Sequence, residues 1–157
     1  MNLPTIIPED ISITSIRLLS ANISSTQEAI NFIGPILGCE TEVSSKNVVN
    51  MESQEFLSKL LVRLEAFDTN KGKIGIQGEF ELEVRIRVEN LKDHQLPNVE
   101  IHGQQVIVLS PQLTSTMMGL VYSTARGVIF MRTLGSLLDG VILPVLNPLK
   151  IGGVIMQ

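Results

Sequence analysis

The sequence predicts an α+β domain in which an antiparallel sheet carries one long helix on a face. Three observations predict it. Phe80, Leu82, Val84, Ile86 and Val88 alternate with Glu79, Glu81, Glu83, Arg85, Arg87 and Glu89, a period of two that makes a strand with one buried and one charged face. Asp68-Thr69-Asn70-Lys71-Gly72 is a turn cluster placed to join that strand to a preceding one. From Gln112 to Leu134 the spacing is helical, after Pro111, with Ser110 available as a cap and Gly135 just past the end. No composition shift divides the 157 residues, so the chain reads as a single domain, 1–157.

The remaining elements follow in order. Ile11, Ile13, Ile16, Leu18, Leu19 and Ile23 sit among Ser and Thr as a strand whose phase slips near Thr14 and Ser15, which a bulge explains. Gln27 to Cys39 is a connection carrying Ile30, Phe32, Ile33, Ile36 and Leu37 around Gly34, Pro35 and Gly38. Glu40 to Met51 supplies a short, polar strand. Within Phe56 to Phe67, Leu57, Leu60, Leu61 and Leu64 also fit helical spacing. Leu60, Val62, Leu64 and Ala66 alternate, however, and the turn that follows needs a strand on both sides, so a strand is assigned. Lys73 to Gln77 begins the charged strand, with Gly75 or Gly78 permitting a bulge. Leu91 to Val99 reads as a loop centred on Pro97, and Val106 to Leu109 as a brief apolar run.

Apolar residues make up 44% of the chain, charged ones only 18%, and the mean hydropathy is +0.28. A small domain has limited interior, so some of this surface must lie in a subunit interface or an apolar groove. A membrane span needs roughly 20 predominantly apolar residues. The longest uncharged stretch, Ile101 to Ala125, is interrupted by Gln104, Gln105, Ser110, Pro111 and Thr114, and no membrane insertion is expected. Met1 to Asp10 carries Glu9 and Asp10 and lacks a secretory signal, which places the chain in the cytoplasm. A net charge of −4 disfavours nucleic acid as a partner.

The helix is informative for what it lacks. One stripe is Leu113, Met117, Leu120, Thr124 and Val128, and a second is Met118, Val121, Ala125, Ile129 and Met131, with only Arg126 and Arg132 charged. A helix covering one sheet shows solvent a wide polar face. This one requires a second covering layer, most simply another copy of the chain, and Leu113, Met117, Leu120, Val121, Thr124 and Val128 are the expected interface. The tail from Leu137 to Ile155 is apolar but broken by Pro144 and Pro148, so it must lie extended along something.

Leu120-Val121-Tyr122-Ser123-Thr124-Ala125-Arg126, then Gly135, then Leu143-Pro144-Val145 with Asn147, resemble the helix, glycine turn and Leu-Ala-Pro-Val-Asn-Phe stretch of the SecB family of export chaperones. Arg17 to Ser24 resembles that family's first strand. The resemblance implies a four-stranded antiparallel sheet with a long helix on one face, assembled as a dimer of dimers, so that a homo-dimer or homo-tetramer is expected. It also implies a holdase that keeps unfolded or partly folded polypeptides in apolar grooves without ATP or other cofactor. Applied to this chain, those grooves would use Leu18, Leu19, Ile23, Phe32, Ile36, Leu37, Leu138, Val141, Ile142, Leu143 and Val145. Family members hand clients to the SecA motor through acidic sheet residues, a docking role that would fall to Glu81 and Glu83. Asn22 and Thr26 stand where the family carries acidic residues, and the family's second, C-terminal helix is expected to be missing or very short. Some relatives instead protect antitoxins or other aggregation-prone clients.

Plainer readings stand beside these. The tail and the Gln27 to Leu37 connection could be ordinary core or interface, and the Glu and Arg row an ordinary solvated face with cross-strand pairs. A structural or adaptor protein, whose apolar surface serves self-association alone, is the main competitor. An enzyme is not expected. His94 and His102 follow no metal-ligand spacing, no Gly-rich phosphate loop precedes a helix, and Glu40 beside Cys39 opposes thiolate formation.

Overall fold

A computed structural model describes residues 4–30, 36–68, 70, 72–151 and 155–156. In chain order these form β1 (Ile11–Ser25), α1 (Gln27–Ile30), β2 (Gly38–Asn50), β3 (Glu55–Phe67), β4 (Lys73–Val88), β5 (Gln95–Ile101), β6 (Gln104–Leu109), α2 (Pro111–Thr133), α3 (Pro148–Ile151) and β7 (Ile155–Met156). The four long strands make an antiparallel sheet in the order β1-β4-β3-β2, and β7 adds two residues in parallel at the β2 edge. The α+β reading, a four-stranded antiparallel sheet with a long helix on one face, is what the structure shows.

The charged alternation is β4, and Phe80, Leu82, Val84 and Ile86 are fully buried beneath α2. β3 is a strand for its whole length, with Phe56, Leu60, Val62, Leu64 and Ala66 buried. The helical spacing in that segment came from Leu57 and Leu61, which lie on the opposite, wet face beside Arg85 and Glu81 in register. The turn into β4 is closed by the Asp68 carboxylate, which accepts from the Asn70 and Gly72 amides at 2.9 and 3.0 Å. Asp68 can do this because a short acceptor side chain competes with the ladder for local amides.

β1 slips phase twice rather than once. Register shifts fall between Ile13 and Ser15 and between Leu18 and Ser20. Each inserts one residue, Thr14 and Leu19, so that Ile11, Ile13, Ile16, Leu18, Ala21 and Ile23 all stay opposite the helix-side residues of β4. Of the two glycines offered for a bulge in β4, Gly75 is the one, with φ +76 beside the shift in pairing with β3. Gly78 stays in the ladder. A Cβ there would meet Leu138 Cδ1 at 2.8 Å, so Gly78 is the seat on which the tail's Leu138 packs.

The segment read as a loop from Leu91 to Val99 is instead a 3-10 turn, Leu91–His94, followed by β5, which pairs with β6 in a separate hairpin. Pro97 is tolerated because it falls where the register skips between Leu96 and Val99. The hairpin turns on His102 and Gly103, both with positive φ (51 and 78), the twist that two-residue hairpin loops require. β5 is almost wholly exposed and shows no burial alternation, which is why periodicity missed it.

α2 matches the expected helix to one residue at each end. Leu113 N donates to Ser110 Oγ at 3.4 Å, completing the cap, and Gly135 follows the helix with φ +72. Leu113, Met117, Met118, Val121, Tyr122, Ala125 and Ile129 form its buried stripe on β3 and β4. Among the described residues no helix is long and apolar enough to cross a membrane.

Candidate functional site

The outer side of α2 is where the expected second layer belongs, and the chain's own tail supplies part of it. Ser136 Oγ donates to Thr133 O at 2.7 Å and accepts from Leu138 N at 3.0 Å, turning the chain back. The returning segment then runs antiparallel to the helix. Arg126 Nε donates to Leu143 O at 3.1 Å and Tyr122 Oη to Pro144 O at 2.7 Å. Pro148, which opens α3, lies over Gly119, where a Cβ would sit 3.6 Å from its ring. Tyr122 and Arg126 therefore clasp main-chain carbonyls, which hold a proline-broken segment that has no ladder of its own. Burial pushes the Tyr122 hydroxyl above the usual phenol range, with Arg126 pulling the other way.

This return sorts the tail into alternate fates. Leu138, Val141 and Leu143 are buried in the chain's own core, so they offer no surface to a client in this conformation. Ile142 and Val145 point outward, 70% and 82% exposed. Leu137 and Leu149 join them, and so do Phe130, Met131 and Leu134 at the end of α2. Sequence reasoning left out these additional residues because every apolar residue in a run looks alike until the direction of the chain is known.

β1 provides a second apolar row. Its helix-side residues lie beyond the strip that α2 covers, so Ile16 is 49% exposed and Ile13 is also exposed, while Leu18 and Ile23 are partly buried. Leu19, the residue inserted by the second bulge, is exposed as well. Ile13 and Ile16 share one face across the Thr14 bulge, and what periodicity does not show is that α2 leaves that face open. Leu37 is exposed and Ile36 partly buried before β2, and Phe32 lies outside the described residues.

Of the expected interface residues, Leu113, Met117 and Val121 are fully buried against the chain's own sheet. They cannot meet another copy without unfolding. Leu120, Thr124 and Val128 are partly buried on the flank of the helix and remain presentable.

The wet face of the sheet is charged and carries three ion pairs among the described residues. Glu83, with its side chain only 13% exposed, lies 3.8 Å from Arg17, Arg63 Nε donates to Glu79 at 2.9 Å, and Lys73 lies 3.0 Å from Glu65. These hydrogen bonds, more than bare charge, raise the Arg63 and Lys73 pKa values. An open depression of about 770 Å³ at one end of this face is lined by Asn22, Ser24, Arg63, Glu65, Lys73 and Glu79 among others, and both its cations already have carboxylate partners. Glu81 is half-buried next to Leu61.

The residues from which an enzyme would have to be built are dispersed. His94 is buried with Nδ1 3.3 Å from Ser110 Oγ, next to the cap of α2, while His102 is exposed at the hairpin tip. Cys39 sits in β2, and burial pushes its thiol up to about 11, away from the thiolate form. Among the described residues no group of three or more His, Cys, Asp or Glu could hold a metal ion.

No protein-family model and no curated protein matches this sequence. Solved structures do. The chain superposes on the Mycobacterium tuberculosis Rv1957 SecB-like chaperone, solved in complex with a ChAD peptide from the Rv1956 HigA1 antitoxin, with a TM-score of 0.52 over 88% of this chain and 92% of that one. Identity is 14%, so what the two share is the fold.

Proposed function

We propose that this chain, which carries a SecB-like fold, is an ATP-independent holdase for non-native polypeptides. The observation that carries the reading is the pair of solvent-facing apolar rows: Ile13 and Ile16 on the helix side of β1 with the bulged Leu19 near them, and Met131, Ile142 and Val145 on α2 and the tail. Burial of client apolar surface contributes about 25 cal/mol per Å² and is non-directional, so such rows bind many sequences and need no nucleotide. Leu18 and Ile23 extend the first row, while Ile36 and Leu37 add apolar surface before β2, at the other edge of the sheet. A lone, half-buried cysteine fits work in a reducing cytoplasm.

The active particle in this reading is a homo-oligomer. The outer edge of β1 is unpaired among the described residues, and a long edge strand with apolar residues is stable only when covered. Two copies related by a two-fold axis would pair β1 with β1, and Leu120, Thr124 and Val128 would add helix contacts. Docking through Glu81 and Glu83 to a motor such as SecA finds less support, because Glu83 already pairs with Arg17 and Glu81 is half-buried. A dedicated client is the second reading, favoured by the superposed chaperone's complex with an antitoxin peptide.

The test is suppression of aggregation of a chemically unfolded protein at stoichiometric ratio with no nucleotide added. Suppression is expected. A folded oligomer that neither suppresses aggregation nor binds unfolded chains would leave self-association as the only use for the apolar surface and end the holdase reading.

A further inference from the structure

The outer edge of β2 is built differently from that of β1. The helix-side row of β1 is mostly isoleucine and leucine, whereas that of β2 includes Thr41, Ser45 and Asn47. Among the described residues, Thr41 Oγ1 and Asn47 Oδ1 are shielded from solvent without a hydrogen-bond partner, and so is Ser58 Oγ, the register partner of Asn47 on β3. Asn47 is 3% exposed and Ser58 fully buried. Buried acceptors left unpaired are costly, and native folds seldom keep a cluster of them without a use. Asn47 lies where β7 sits, Ser58 lies beneath it on β3, and Thr41 lies six residues away along the same edge. Ile155 pairs with Asn47 and Met156 with Val48, the one parallel ladder among the described residues, and the approach is tied by Ser45 Oγ donating to Ile151 O. β2 has 13 residues, and among the described residues β7 pairs with two of them.

We propose that the outer edge of β2, from Gly38 to Val48, accepts an extended segment of a non-native polypeptide as an added strand, and that β7 is a resident competitor which this segment displaces. The inference rests on the holdase reading and adds a second, main-chain mode of capture to it. An unfolded chain brings an amide donor at every residue except proline, and those donors suit an open strand edge. Main-chain pairing is as blind to sequence as apolar burial. A second copy is a poorer occupant, because two-fold symmetry would set β2 against β2 antiparallel, whereas the ladder this edge makes is parallel. Among the described residues β7 makes two ladder pairs and packs beside β6, fewer pairs than a strand running along Gly38 to Val48 would make.

The proposal is tested with a reduced, carboxymethylated polypeptide as the permanently unfolded probe. Ile155→Pro removes an amide from the β7 ladder and should tighten probe binding by about fivefold, since a competitor worth two cross-strand pairs is lost. Val48→Cys with Met156→Cys, in a Cys39→Ser background, bonds β7 to its register partner. Oxidation should weaken probe binding by about the same factor, and reduction should restore it. Equal affinity for wild type, Ile155→Pro and the oxidised form, with aggregation still suppressed, overturns the edge site and leaves the holdase intact. A wild-type protein that binds no probe and suppresses nothing overturns both.

Discussion

At the scale of single residues, Tyr122 and Arg126 are the positions through which the helix and the tail become one structure. Tyr122→Phe removes the bond to Pro144 O while keeping the ring, and the expected loss is about 1 kcal/mol in urea unfolding. An unchanged midpoint would show that the tail is held by Leu138 and Leu143 alone. Gly78→Val drives two methyls into Leu138 and Phe80 and should cost about 1–3 kcal/mol in the same measurement. Cys39 sets a pH limit. Its thiol titrates near 9.0 in the unfolded chain and at about 11 in the folded one, so between those values the folded state holds a proton that the unfolded state has lost. Stability should be unaffected by this group below pH 9 and should fall as pH rises from 9 to 11. Alkylation by iodoacetamide at pH 8 should be slow relative to the denatured protein, and equal rates would refute the burial effect.

At the scale of elements, the strands that alternate cleanly were legible because each has one dry and one wet face. β4 and the capped α2 declare themselves in this way. The β5–β6 hairpin does not, because β5 is exposed on both faces and periodicity has nothing to register. β2 was legible as a polar strand within about two residues at either end, since an edge strand can stay polar where a central one cannot. The cap of α2 is testable as a unit. Ser110 accepts from Leu113 N and also faces His94 Nδ1, so Ser110→Ala should cost about 1 kcal/mol and fray the first turn, seen as faster hydrogen exchange near Leu113. Protection unchanged from wild type would mean that packing of Leu113 alone fixes the helix start.

At the scale of the whole molecule, the helix predicted a second covering layer but not its source. The apolar stripes of α2 demanded cover, and nothing local to the helix distinguished a sister subunit from the chain's own tail. That distinction depends on Ser136 and Gly135 reversing the chain, a feature with no periodic signature. The division of labour along the helix can be checked by particle mass. Leu120→Asp or Val128→Asp should lower the mass in light scattering with the fold retained, whereas Met117→Asp buries an unpaired carboxylate and should unfold the chain. Unchanged mass for both flank variants would remove the helix from the interface. The tail clasp has one more consequence, which concerns heredity rather than stability. Arg126 and Tyr122 grip carbonyl oxygens that every amino acid possesses, so the outward residues Ile142 and Val145 are free to drift without disturbing the grip. Under the proposed holdase function, a lineage carrying this fold can exchange one set of captive chains for another by point substitution at the rim while its architecture stays fixed.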